Sequence, residues 1–157
     1  SEYWTEIFGT ASLTEAVGRA REHIGDNAVE VKLEVGEVPP VRAKAAELQE
    51  VFYGLLENAC DALGERGTIE IKVSVVDGQM LRIRIEDDGP GIPKDLQHRV
   101  FDPFFTKSTR RGATGLGLSN AQQMVSAHDG KILLESEVGK GTVVTVLLPV
   151  AQKRSRV

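Results

Sequence analysis

The chain has 157 residues, 41% of them hydrophobic and 27% charged, with a net charge of −4. That is enough for one domain with its own core and is the make-up of a soluble globular protein. The signs are interspersed, and the one basic cluster, Lys153-Arg154-Ser155-Arg156, belongs to a short C-terminal tail, so no nucleic-acid partner is expected. Cys60 is the sole cysteine, which rules out an intrachain disulfide and fits a reducing cytoplasm. No apolar run is long enough to span a bilayer, so no membrane contact is expected.

The abrupt start reads as a fragment of a longer protein. Residues 1–10 carry Tyr3, Trp4 and Phe8 without periodicity and read as the end of a preceding linker or a docking segment. A helix is expected from Leu13 to about Ile24, capped by Thr10 or Ser12, with Leu13, Val17, Ala20 and Ile24 on one face. Gly25-Asp26-Asn27 stops it. Val29 to Val35 alternates strictly, as a strand with one wet face does. Pro39-Pro40 closes the connection that follows.

The next helix is expected over Ala43 to Leu63. At 100° per residue, Leu48, Val51, Phe52, Leu55, Ala59, Ala62 and Leu63 share an apolar face. Glu50, Gly54, Glu57 and Asp61 lie opposite, and Asn58 falls on the border, where a polar side chain can point along the core edge into a cleft. Cys60 reads as a small packed residue. Thr68 to Val76 and Leu81 to Glu86 read as strands joined by a hairpin at Asp77-Gly78.

The second of these strands runs into Glu86-Asp87-Asp88-Gly89-Pro90-Gly91-Ile92-Pro93. This places a carboxylate at a strand exit beside two glycines that let a flat ligand approach the main chain. Taken alone, it is also an ordinary turn sequence. Pro93 opens a short helix to about Val100. Phe101 to Ser108 is a loop with two adjacent phenylalanines, and Thr109 to Thr114 is polar, basic and glycine-containing, as a flexible lid is. Gly115-Leu116-Gly117-Leu118 opens a helix to about His128 whose free N–H groups favour an anion. Strands from Lys131 to Glu137 and Thr142 to Leu148, joined through Gly139-Lys140-Gly141, complete the chain.

Three nucleotide folds offer such a phosphate site. The dinucleotide fingerprint fails because Asn120 stands where the third glycine belongs. The P-loop fails because Gly139-Lys140-Gly141-Thr142 breaks its order and leads into a strand, where a helix is required. The third fold fits the whole series. Asn58-Ala59, Asp87-x-Gly89-x-Gly91-Ile92, Phe101-x-Pro103-Phe104-Phe105, Gly115-Leu116-Gly117-Leu118 and Gly139-Lys140-Gly141-Thr142 occur in the order of the N, G1, F, G2 and final glycine motifs. From about Leu13 to Pro149 the chain resembles the catalytic ATP-binding domain of sensor histidine kinases, within the Bergerat-fold ATPase superfamily. Phe101 to Ser108 is similar to kinases of the nitrogen-regulation type.

The resemblance implies a two-layer α/β sandwich, with a mixed, mainly antiparallel sheet of about five strands covered on one face by three main helices and an ATP lid. Residues 11–150 would be the catalytic domain and residues 151–157 a tail. ATP and Mg2+ are the implied ligands. Asp87 would accept a hydrogen bond from the adenine amino group, with Gly89, Gly91 and Ile92 lining the passage and Thr142 and Asp61 nearby. Asn58 would ligate magnesium, a hard cation preferring oxygen. Gly115, Leu116, Gly117 and Leu118 would meet the phosphates at the helix start. Phe104, Thr106, Lys107 and Thr114, with Arg110 and Arg111, would belong to the lid. Asn58 and Lys107 are the catalytic candidates, and Glu57 is the obvious suspect for a general base, although the chemistry does not require one.

The implied reaction moves the ATP γ-phosphoryl to a histidine on a helical dimerisation domain missing from this chain, for relay to a response regulator. Of its own histidines, His23, His98 and His128 read as structural or solvated. The alternatives are an anti-sigma-type serine kinase and a nucleotide-binding module without catalysis. Two departures stand out. Asp61-Ala62 replaces a basic-aromatic pair common in the family. Gly54 replaces a second asparagine one turn before Asn58, and reads either as a vacated ligand position or as close packing against a neighbour.

Overall fold

The computed structural model describes residues 3–103, 105 and 117–151. In chain order the elements are β1 (Thr5–Ile7), α1 (Gly9–Ile24), β2 (Ala28–Val35), β3 (Val41–Ala43), α2 (Ala45–Leu63) and β4 (Arg66–Val76). They continue with β5 (Met80–Asp87), α3 (Lys94–Gln97), α4 (Gly117–Ala127), β6 (Lys131–Glu137) and β7 (Gly141–Pro149). Five strands form one sheet in the order β2-β4-β5-β7-β6. Only β2 and β4 run parallel, and the other three pairs are antiparallel. The mixed, mainly antiparallel sandwich expected from the sequence is the fold observed.

Alternation along β5 shows how the layers are made. Leu81, Ile83 and Ile85 are buried while Arg82 and Glu86 are exposed, because successive strand residues face opposite sides. The inward residues meet Leu13 and Val17 of α1, Phe52 and Leu55 of α2, and Val125 of α4 in one continuous core. Burying each large apolar side chain there contributes about 1.5–3 kcal/mol. The same parity carries on to Asp87. It is the fourth inward residue of β5 and only 7% exposed, so a carboxylate occupies what the strand treats as a core position.

Several expectations need correction. α1 begins at Gly9, with Phe8 as its N-cap and no side-chain capping bond. Thr10 and Ser12 lie inside the helix, where the Thr14 hydroxyl bonds back to the Thr10 carbonyl. Ala43 belongs to β3 and not to α2. Ala62 is exposed, whereas Leu56 and Cys60 are buried. The buried arc of α2 is wide because the helix is covered by α1 and α4 as well as by the sheet. The helix expected from Pro93 to Val100 is regular only over Lys94–Gln97.

The sequence reading held no β1 or β3. They pair antiparallel, Glu6 opposite Arg42, as a separate two-stranded ribbon. Val41 and Ala43 are buried against the domain, so residues 5–7 pack on it. The expected lid, Thr109 to Thr114, lies outside the described residues. Among those described, no helix is long and apolar enough to cross a membrane.

Candidate functional site

The acid-glycine stretch leaves β5 between its two sheet neighbours, with Asp87 paired to Ile69 of β4 and to Thr142 of β7. The Gly89 N–H donates to Asp87 Oδ1 at 2.9 Å. Burial pushes the Asp87 carboxyl above its ordinary range; the amides of Gly89 and Thr142 pull it down, and the charges of Asp88 and Glu86 push it up. A charge-bearing acceptor in such a site gains most from a donor on a ligand that also excludes water. Asp88 points elsewhere, its Oδ1 accepting the Thr68 N–H at 2.8 Å.

Close approach explains the glycines. A Cβ on Gly89 would stand 2.9 Å from Asp87 Oδ1 and 3.5 Å from the Ala62 carbonyl, so any larger residue would crowd both the carboxylate and the last turn of α2. Gly91 has φ +77°, and a Cβ there would strike the Glu137 carbonyl at the end of β6. Both the left-handed conformation and the contact demand glycine.

Polar bonds then fasten this loop to the β6–β7 hairpin. The Ile92 N–H donates to Ser136 Oγ at 2.7 Å, and the Gly139 N–H donates to the Pro90 carbonyl at 2.9 Å. Gln97 Nε2 donates to the Ile92 carbonyl at 2.8 Å and to the Ser136 carbonyl at 3.0 Å. The Ser136 hydroxyl donates to the Gly141 carbonyl at 3.0 Å and lies 2.8 Å from Thr142 Oγ1. Since the single proton of Ser136 is spent on Gly141, Thr142 is the donor of that second bond. Ser136 and Gln97 were missed in the sequence, where a serine in an alternating strand and a glutamine in a short helix carry no distinguishing pattern.

The opposite wall is formed by α2 and α4. Asn58 is exposed near the end of α2. A Cβ on Gly117 would lie 3.5 Å from Asn58 Nδ2 and 3.8 Å from Oδ1, so the Asn58 amide stands against the start of α4. A carboxamide oxygen beside the N–H groups of a helix start can serve a hard cation while the helix serves the anion it accompanies. Leu118 packs on the core behind that start. Glu57 and Asp61 are half-buried on the same side of α2. Among the described residues no cluster of three or more His, Cys, Asp or Glu can hold a metal.

Gly54 is half-buried, and among the described residues nothing lies within 4 Å of a Cβ built there. Among the described residues the close-packing reading of Gly54 finds no neighbour, and the space one turn from Asn58 is open. His23 and His98 are exposed, while His128 is buried with both ring nitrogens engaged. Phe104, Thr106, Lys107, Thr114, Gly115 and Leu116, like Arg110 and Arg111, lie outside the described residues. The remaining candidates fall into two groups. Asp87, Gly89, Gly91, Ile92 and Thr142 cluster at the sheet end, and Asn58, Gly117 and Leu118 at the junction of α2 and α4.

Known proteins resemble this chain in sequence and fold. The chain is 40% identical over 114 residues to the signal transduction histidine-protein kinase AtoS of Escherichia coli, covering 73% of this chain and 18% of that protein. It is 38% identical over 128 residues to the sensory histidine kinase/phosphatase NtrB of Rhodobacter capsulatus, covering 74% of this chain and 35% of that protein. The chain thus spans about a third or less of the length of these relatives. The solved catalytic domain of histidine kinase ThkA superposes with a TM-score of 0.82 at 30% identity, over 94% of this chain and 97% of that one. Residues 43–152, from the end of β3 through both walls of the site, match the family model for such domains. The chain belongs to the family of histidine kinase-, DNA gyrase B-, and HSP90-like ATPases.

Proposed function

We propose that this chain is the ATP-binding catalytic domain of a sensor histidine kinase, which passes the ATP γ-phosphoryl to a histidine on a helical dimerisation domain outside the chain. From there the phosphoryl would be relayed to an aspartate on a response regulator. The observation that carries the reading is the pairing of two walls. One is a buried carboxylate at a strand exit held by Gly89, and the other is Asn58 against the first residue of α4. The first suits adenine, since a carboxylate accepts from an amino group and rejects the carbonyl of guanine. The second suits phosphates. The relatives named above are sensor kinases, which favours histidine over serine as the acceptor.

The chain's own part in the reaction is positioning. Asp87 orients the base, Thr142 stands beside it on β7, and the bonds of Ser136 and Gln97 hold the loop between them. The N–H groups at the start of α4 take the phosphates. Mg2+, held through the Asn58 carbonyl oxygen, would supply neutralisation of phosphate charge. Fixing the donor in this way carries most of a phosphoryl transfer, so no base is assigned within the chain. Lys107, Thr106 and the other lid candidates remain proposed phosphate contacts on sequence grounds alone.

The test uses γ-labelled ATP with the chain alone and with the helical dimerisation segment of its parent. Acid-labile label should appear only on the segment and only in the mixture. Acid-stable label on a partner protein, or acid-labile label on His23, His98 or His128 of the isolated chain, overturns the assignment.

A further inference from the structure

The buried imidazole of His128 takes no part in the site described above, yet both its nitrogens are committed. Nδ1 lies 2.7 Å from the Met124 carbonyl in the last turn of α4, and Nε2 accepts the Lys44 N–H at 3.1 Å. The carbonyl can only accept and the amide can only donate, so the ring is the neutral tautomer with its proton on Nδ1. Lys44 is the N-cap of α2. His128 therefore joins the end of α4 to the beginning of α2.

That bond lies at the far end of the helix from the nucleotide. α4 starts against Asn58, near the end of α2, and finishes against Lys44, at the start of α2. The two helices run antiparallel, with Ala121 and Val125 buried in the core; the Lys44 bond ties one extremity, and at the other the Asn58 amide stands close to Gly117. A hydrogen bond at one end sets the position of α4 along α2, and with it how closely Gly117 meets Asn58. The Trp4 ring rests on the imidazole, with centroids 4.7 Å apart, and the Lys44 ammonium lies 5.4 Å from the Trp4 ring. Trp4, Glu6, Arg42, His128 and Asp129 line an open groove of about 720 Å³ there.

We propose that His128 is a positioning residue for nucleotide binding, fixing the axial register of α4 against α2 so that the start of α4 meets Asn58. It touches neither ATP nor metal and acts through the Lys44 N–H. The inference rests on the reading of the α4 start as the phosphate end, but the state of the helix can be measured without nucleotide.

The experiment compares His128→Leu and His128→Gln in the full chain, with the ATP analogue AMPPNP and Mg2+ as the binding probe. Leu removes both bonds, whereas the Gln amide oxygen can still reach the Lys44 N–H. With circular dichroism showing an intact fold, the Leu variant should exchange its Ala121–Met124 amides, which bond back to the first turn of α4, roughly tenfold faster than wild type, and bind AMPPNP roughly five- to tenfold more weakly. The Gln variant should return both to within about twofold. If Leu abolishes folding, His128→Asn decides: it can keep the Met124 bond but falls short of Lys44, and should exchange like the expected Leu variant. Wild-type exchange and affinity in a folded Leu or Asn variant, or a Gln variant as impaired as these, would overturn the proposal. Should wild type bind no AMPPNP, the functional reading fails and the exchange measurement still judges His128.

Discussion

Replacing Asp87 by Asn separates the role of its charge from the role of its shape. Asn can keep Oδ1 in place as acceptor for the Gly89 N–H, but it puts an NH2 donor where the second carboxylate oxygen stood. Facing an adenine amino group, that swap loses a charged hydrogen bond worth about 1.5–3 kcal/mol, so ATP affinity should fall roughly ten- to a hundredfold. Stability should move the other way. Burial raises the Asp87 carboxyl from its ordinary value of 3.8, so the folded state holds its proton more tightly than the unfolded state. The stability this contributes is present below the unfolded value and is lost as pH rises through the folded one. At neutral pH the wild type carries a buried charge that the Asp87→Asn variant lacks. The variant should therefore melt at or above the wild-type temperature at pH 7, with the difference closing as pH falls below the ordinary carboxyl value of 3.8. Calorimetric titration and melts across that range measure both. Unchanged affinity would refute the adenine assignment, and a lower melting temperature at neutral pH would refute the claim that burial outweighs the bonds from Gly89 and Thr142.

Further substitutions test the two walls. Gly54→Ala places a methyl in open space and should stabilise by about 0.5–1 kcal/mol through helix propensity alone, leaving ATP binding unchanged; a lower melting temperature without nucleotide would show a neighbour after all. Gly54→Asn should fold normally and strengthen ATP binding only when Mg2+ is present, and a gain equal with and without the ion would reject the vacated-ligand account. Ser136→Ala strands the Ile92 N–H and loses the bonds to Gly141 and Thr142; urea denaturation should show a loss of about 1–3 kcal/mol, and wild-type stability would mean the loop is held by other means. Gly91→Ala meets a left-handed φ and the Glu137 carbonyl together, so it should cost at least about 1–3 kcal/mol; a soluble variant with the wild-type melting temperature would contradict the tight approach.

What could be read from the residues depended on whether the signal was periodic. β6 runs from Lys131 to Glu137 as expected, and the β4–β5 hairpin turns at Asp77 and Gly78, both with positive φ. Alternation and turn chemistry are local, so a single sequence displays them. β1 and β3 have three residues each, too few to show a period, and exist because they pair with one another and bury Val41 and Ala43. The start of α1 was misplaced because Thr10 and Ser12 look like caps, yet the helix continues through them to Gly9. In the site, Asp87, Asn58 and the glycines formed an ordered series of motifs. Ser136, Gln97 and His128 act through partners distant in the chain. No spacing announces them.

The strand order also governs how this domain assembles. β4 and β5 are joined by a tight turn and pair from Val76 with Met80 to Ile69 with Asp87, so their pairing closes only a short loop. β2 reaches β4 across β3 and the whole of α2, with Val31 beside Ile69. β7 reaches β5 from still farther along the chain, with Val146 beside Ile83. Because closing long loops is the slow part of forming a sheet, the β4–β5 and β6–β7 hairpins should form first, and their docking, with the addition of β2, should follow. Asp87 belongs to one of these hairpins and its neighbour Thr142 to the other, so the two meet only when the hairpins dock. On the proposed adenine assignment, ATP would have no complete cleft to bind until the hairpins dock, and its stabilisation would fall on the finished domain rather than on any folding intermediate.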